Sequence, residues 1–339
     1  MGELKHFPIL FFASVMGLSG FSMVVRKVGL LLGLSPLIGE MSAYGTAVIY
    51  VAIVSTYLRK LYYYRSTVLH EALHPSYIGF VSTISLATIL LSTVLFPYST
   101  PFSKALWVVG SAGHFVLLLR ITTLWINYQG FTVPDTNPAW FIPVVGSLAV
   151  PLVGLNHAPA YISWFFFSIG LLFWIVLFTI FLYRILFHHP LAEKLVPTLF
   201  ILMAPPSLAA ITWTKLAGGF SDFGMILYCI ALFMFMLVML QYKLYFRLRE
   251  FYLSWWTFSF PLSAMTLATF LFSTQPGGES LENLAWAQSI LLFIIVVMLV
   301  YRTLTGLFKG EICREEIIVD PSSRFGNGTE STQLNEVKG

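Results

Sequence analysis

Pro138-Ala139-Trp140-Phe141-Ile142-Pro143-Val144-Val145-Gly146, running on to Pro151 and Gly154, is an apolar stretch cut by prolines and small residues. A few positions later Trp164-Phe165-Phe166-Phe167 opens a second apolar stretch, bulky and proline-free through Leu182. The contrast between these neighbours decides the fold. Proline inside a helix removes a backbone hydrogen bond and bends the chain. In lipid, backbone groups freed in this way are tolerated only where protein or water satisfies them. The first stretch therefore belongs inside an assembly of helices, whereas the second has side chains suited to lipid on every face.

The same alternation runs outward in both directions. A membrane span needs about 20 mostly apolar residues, and ten runs fit: Pro8–Val25, Met41–Leu58, Pro75–Phe96, Lys104–Trp125, Pro138–Gly154, Tyr161–Phe187, Val196–Leu216, Phe223–Tyr245, Trp255–Phe272 and Leu284–Leu307. The odd runs carry prolines or small residues, and the even runs are proline-free. Pro8, Pro75, Pro138 and Pro197 stand near the starts of four odd runs, about 60 to 67 residues apart, and the fifth falls near Ser254. A period of that size means one helical hairpin used repeatedly. Small residues recur at helical spacing on the odd runs: Ala13, Gly17 and Gly20; Gly79, Thr83 and Ala87; Gly146, Val150 and Gly154; Ala204 and Ser207; Ser263 and Ala264. Any one such stripe also suits close helix packing; five of them on alternate helices, together with the kinks, point to a central path.

The expected architecture is thus an all-α integral membrane protein of ten transmembrane helices, built as five repeated hairpins. Five kinked odd helices form an inner ring around a pore, and five even helices form an outer ring. This domain takes residues 1–309, and a polar, disordered cytoplasmic tail takes residues 310–339. The composition agrees: 58% of the 339 residues are hydrophobic and 10% charged, against roughly 25% charged in soluble domains, and mean hydropathy is +0.82. Lys5, Arg59, Lys60, Arg65, Arg184, Lys194, Lys243, Arg247, Arg249, Arg302, Lys309 and Arg314 fall on one side, against Arg26, Lys27, Lys104 and Lys215 on the other. By the positive-inside rule both termini are cytoplasmic. That bias accounts for the net charge of +4, so no nucleic-acid partner is implied. Lys5 ahead of an apolar run imitates a signal peptide, but nine further spans make it a retained first helix. Cys229 and Cys313 make no disulfide framework, and the sequon at Asn327 is idle in a cytoplasmic tail.

Four segments carry a family resemblance: Phe7-Pro8 leading into Phe12-Ala13-Ser14-Val15-Met16-Gly17-Leu18, Asn137 through Pro143, Ala204-Pro205-Pro206-Ser207, and Trp255-Trp256-Thr257-Phe258-Ser259-Phe260-Pro261-Leu262. Over roughly residues 5–309 the chain resembles the tellurite-resistance/C4-dicarboxylate transporter (TDT) family, which includes bacterial TehA and the plant slow-type anion channels. The resemblance implies a homotrimer in the plasma or inner membrane, each protomer with its own pore, and a phenylalanine plug at the position of Phe260. It implies a gated channel for small inorganic anions or organic acids, with no cofactor and no reaction. A carrier or exporter of malate, sulfite or tellurite-related species is the second member type it allows. Unlike the plant channels, this sequence has only a few residues before its first helix, so kinase control from that end is not expected.

Candidate lining and kink residues are Ala13, Gly17, Gly20, Thr83, Pro143, Gly146, Pro151, Pro205, Pro206, Pro261, Ser263 and Ala264, with Arg120 as a possible charge at the cytoplasmic mouth. The alternative for Phe260 is an ordinary core aromatic, and for Arg120 a side chain snorkelling to head groups. His114, on an even helix, is expected to hydrogen-bond to a neighbour. No Asp or Glu lies deep in any run. That argues against proton coupling through a buried carboxylate and suits an anion, although kinks alone expose carbonyls, which favour cations. One motif remains: His70-Glu71-Ala72-Leu73-His74 spells the H-E-x-x-H of zinc proteases. That chemistry needs both histidines on one continuous helix, and Pro75 pushes His74 out of helical geometry. No metal site is expected from it.

Overall fold

Bulky runs without proline have nothing to interrupt the i→i−4 ladder, and the five even runs form single α-helices: Pro36–Tyr63, Thr100–Asn127, Ala160–Phe187, Asp222–Leu240 and Glu279–Phe308. The computed structural model describes residues 2–73, 78–127, 132–248, 250–310 and 312. The proposed tail therefore lies outside the described residues except for Gly310 and Ile312. Side-chain oxygens close two of the outer-helix starts: Ser35 accepts from the Leu37 N–H and Ser221 from the Gly224 N–H.

Four of the five odd runs fold differently. The first, expected to be kinked, is one unbroken α-helix, Phe11–Leu31, because Pro8 lies ahead of it and no proline falls inside. The third is divided at Ser82 into Ile78–Val81 and Thr83–Leu95. The fifth passes from a 3-10 turn, Pro138–Phe141, into Ile142–Ala149 and Pro151–His157. The seventh is 3-10 over Glu193–Met203 and α over Ala204–Leu216, and the ninth is 3-10 over Leu253–Phe258 and α over Ser259–Phe272. Pro143, Pro151, Pro205, Pro206 and Pro261 fall at or near the starts of the α segments, where a missing N–H costs least. A 3-10 run of 11 residues is long, since its bonds are poorly aligned beyond three or four. The ninth span supports it: Thr257 Oγ1 donates to the Pro197 carbonyl at 3.0 Å and Ser254 Oγ to the Lys194 carbonyl at 2.7 Å.

Nine of the ten runs meet the length and hydropathy of a membrane crossing among the described residues, and the ninth run, 3-10 over Leu253–Phe258 and α over Ser259–Phe272, is the one outside that set. Burial separates the two kinds: 94% of the fifth and seventh spans lies inside the protein, against 22–33% of the even ones. The first span packs on the third, the third on the fifth, the fifth on the seventh, the seventh on the ninth, and the ninth on the first. That order closes a ring. Each even helix packs outside the odd helix that precedes it, so the unit is a hairpin used five times. Large apolar side chains on the outer helices, among them Leu172, Ile175, Phe293 and Ile294, remain exposed, as lipid-facing positions require.

Candidate functional site

Where the inner spans change geometry, the ring encloses a small apolar cavity. Its walls come from all five inner spans: Ala13 and Met16, Thr83, Ile142 and Val145, Ile201 and Ala204, then Trp256, Thr257, Phe260 and Pro261. The water-accessible volume is about 10 Å³, near the least that holds one water molecule. The breaks at Ser82, Phe141/Ile142, Met203/Ala204 and Phe258/Ser259 each lie within a few residues of this wall.

Phe260 is 2% exposed and sits in the first turn of Ser259–Phe272, with Pro261 beside it. Gly20 of the first span gives the ring its place, because a Cβ there would stand 3.2 Å from the Phe260 ring and 2.7 Å from the Ser263 Cβ. Neighbouring hydroxyls are spent on the backbone: Ser259 Oγ donates to the Trp256 carbonyl at 2.7 Å and Ser263 Oγ to the Ser259 carbonyl at 2.8 Å. The wall around the aromatic ring is consequently apolar.

Of the sequence candidates, Ala13, Thr83, Phe260 and Pro261 meet at the cavity. Gly17 faces Ser259 and Trp256, and Gly20 faces Ser263 and Phe260, so these glycines let the first and ninth spans approach closely. Gly146 lies against the imidazole of His114 rather than the axis. Pro151, Pro205, Pro206, Ser263 and Ala264 are buried around the ring without forming the wall. Arg120 is exposed on the fourth span and does not reach the cavity. The wall residues absent from the candidates, Met16, Ile142, Val145, Ile201, Ala204, Trp256 and Thr257, are mostly large. Met16 and Val145 each stand one helical turn beyond a neighbour on the same wall, and that i, i+3 pairing is the signal that finds them.

Pro143 does its work one layer out. Its carbonyl accepts from His114 Nε2 at 2.8 Å, while Ser85 Oγ lies 2.9 Å from His114 Nδ1. A carbonyl only accepts, so Nε2 carries a proton toward Pro143, while the Ser85 hydroxyl stands between Nδ1 and the Ser82 carbonyl, 3.0 Å away. One fully buried imidazole thereby ties together the third, fourth and fifth spans. Interhelical bonds of this kind contribute about 1–2 kcal/mol in membranes. His114→Leu is expected to lower the thermal unfolding midpoint in detergent by several degrees; an unchanged midpoint would remove this role.

The H-E-x-x-H segment is occupied otherwise. Glu71 sits in the short helix Arg65–Leu73 and takes the Lys60 ammonium at 2.7 and 2.8 Å, and that ammonium also donates to the Phe7 carbonyl at 2.9 Å. Lys60 is fully buried, so the pair joins the loop to the second span and the start of the first. His74 and Pro75 lie outside the described residues. No three metal-ligating side chains gather among the described residues.

Residues 6–304 match the SLAC1 family model, described as voltage-dependent anion channel. An uncharacterized transporter of Methanocaldococcus jannaschii is 22% identical, over 93% of this chain and 98% of its own. In Arabidopsis thaliana the S-type anion channel SLAH2 is 26% identical over 84% of this chain, and the guard cell S-type anion channel SLAC1 is 24% identical over 90%. The matched part is 56% of each plant channel, so this chain spans little more than half their length.

Proposed function

This chain belongs to the voltage-dependent anion channel family, a family of channels and transporters rather than enzymes, and we propose that it is a gated channel passing small anions down their gradient. It is a multi-pass membrane protein. In this reading both termini are cytoplasmic, the membrane is the plasma or inner membrane, and three copies assemble with one pore each. Phe260 is the gate. No cofactor takes part.

The observation that carries the reading is the cavity at the ring axis, walled by all five inner spans with Phe260 among them. An ion stripped of water in an apolar constriction loses solvation worth many kcal/mol, so a path this narrow is closed until the ring moves aside. The sign of the ion is supported by charge placement. The inner spans contain no Asp or Glu along their lengths, Glu193 at the very start of the seventh excepted. Reversal potentials of the reconstituted protein under chloride and nitrate gradients test this. They are expected to follow the anion; potentials that track the cation gradient would overturn the reading.

The Methanocaldococcus relative is named a transporter, and that favours one second reading, a carrier for C4-dicarboxylates such as malate, for sulfite or for tellurite-related species. Flux that saturates and follows a proton gradient distinguishes a carrier from a channel.

A further inference from the structure

The cavity wall can be followed along each inner helix to the mouth where those helices end. Eleven residues make about three turns of α-helix, rising about 16 Å and returning within about 20° of the starting face. Eleven residues beyond Ala204, which forms part of the wall, stands Lys215, in the same unbroken helix Ala204–Leu216. Eleven residues beyond Met16, also in the wall, stands Lys27, in the unbroken helix Phe11–Leu31. Two of the five axis-facing stripes thus end in a lysine at the same mouth.

The Lys215 contact agrees with that direction. Its ammonium donates to the Leu152 carbonyl of the fifth span at 2.6 Å, and Leu152 lies two turns beyond Val145 of the wall. Lys215 is exposed as a residue with its ammonium half-buried against that carbonyl, Lys27 is half-buried, and an ammonium has three donors, of which the protein takes this one. Neither lysine has a carboxylate within 4.0 Å among the described residues. The acids at this end all stand on outer helices, Asp222, Glu279 and Glu282 in the first turn and Glu40 just past it. The bases at this end stand on inner helices at Arg26, Lys27 and Lys215 and on the outer helix Thr100–Asn127 at Lys104, whereas the acids stand on outer helices alone.

We infer that Lys27 and Lys215 form an anion-collecting site at the mouth where the inner helices end, taking small hydrated inorganic anions before they reach the constriction. The inference rests on the channel reading and adds to it where ions enter. A lysine near a helix C-terminus also stabilises the helix dipole, and the test must separate the two roles.

Lys27→Gln with Lys215→Gln, placed together in a Phe260→Ala background to give measurable current, is compared with that background in planar bilayers, with chloride as the probe. Fields of exposed charges reach about 30 Å at 0.01 M salt and about 3 Å at 1 M. With about 0.01 M chloride at this mouth, the double glutamine variant is expected to pass about threefold less current into it, and at about 1 M to match the background. Low chloride on the opposite side should leave the two proteins equal, and Lys27→Arg with Lys215→Arg should restore the low-salt current. A dipole role alone would change the unfolding midpoint and not the salt dependence. Anion current with an unaltered low-salt limb overturns the site and leaves the channel standing. Absence of anion current from Phe260→Ala protein that remains folded overturns both.

Discussion

Phe260→Ala is expected to raise anion conductance about tenfold or more in protein that remains folded. Tenfold corresponds to about 1.4 kcal/mol taken from the barrier, which is modest for removing a ring from a constriction with a volume of about 10 Å³. The ring stands against Gly20 of the first span, and Met16, Ile142 and Ile201 complete the same wall. Cutting it back to a methyl group joins its volume to the existing void along the axis. In a dry core, Phe→Ala costs about 3–5 kcal/mol through the cavity it leaves. In a lumen that water enters, part of that cost disappears. The two roles therefore diverge: a packing residue yields an unstable, silent protein, and a plug yields a leaky one. Phe260→Leu and Phe260→Val should fall between. Single-channel recording at matched surface expression decides it, and a folded Phe260→Ala protein with wild-type current would sink the gate.

The division into buried odd spans and exposed even ones is legible because proline and side-chain bulk are one-dimensional signals with a direct physical meaning in lipid. Pro138, Pro143 and Pro151 against Trp164 to Phe167 already separate inside from outside. Whether a small residue faces the axis or a neighbour depends on the rotation of its helix, which no sequence prints. Gly17 and Gly146 were read as lumen residues, yet they accommodate Ser259 and His114. The cavity is also walled by large side chains such as Met16, Ile142 and Ile201, so a search for small residues passes over them. The 3-10 course of Glu193–Met203 was hidden for another reason. Two of its carbonyls, those of Lys194 and Pro197, accept from Ser254 and Thr257, 60 residues away, and long-range bonds of that kind leave no local pattern. Glu71 shows both sides: Pro75 argued against a metal motif, but the partnership with buried Lys60 came only from the fold.

Gly79→Ala is expected to remove most folded protein, a loss of about 3 kcal/mol or more, at the upper end of overpacking costs. Gly79 is buried in Ile78–Val81, one turn before Thr83 of the cavity wall. A Cβ there would stand 2.6 Å from the Ala139 carbonyl carbon and 3.0 Å from the Trp140 nitrogen, with the Ala139 oxygen nearer still. These are backbone atoms, which cannot rotate away as a side chain does. The turn they belong to is also fixed. Asn137 Oδ1 accepts from the Ala139 N–H at 3.0 Å, and the Trp140 indole stacks on Trp125 with centroids 5.5 Å apart. The third and fifth spans would have to separate, carrying Thr83 and Ile142 apart at the level of the constriction. Gly113 supplies the control, since a Cβ at that position meets nothing within 4 Å. Gly113→Ala should be neutral or gain up to about 1 kcal/mol from helix propensity. Size-exclusion profiles and unfolding midpoints in detergent compare the two. Equal behaviour of both variants would mean that the third and fifth spans do not meet through Gly79, and the ring would lose one of its five contacts.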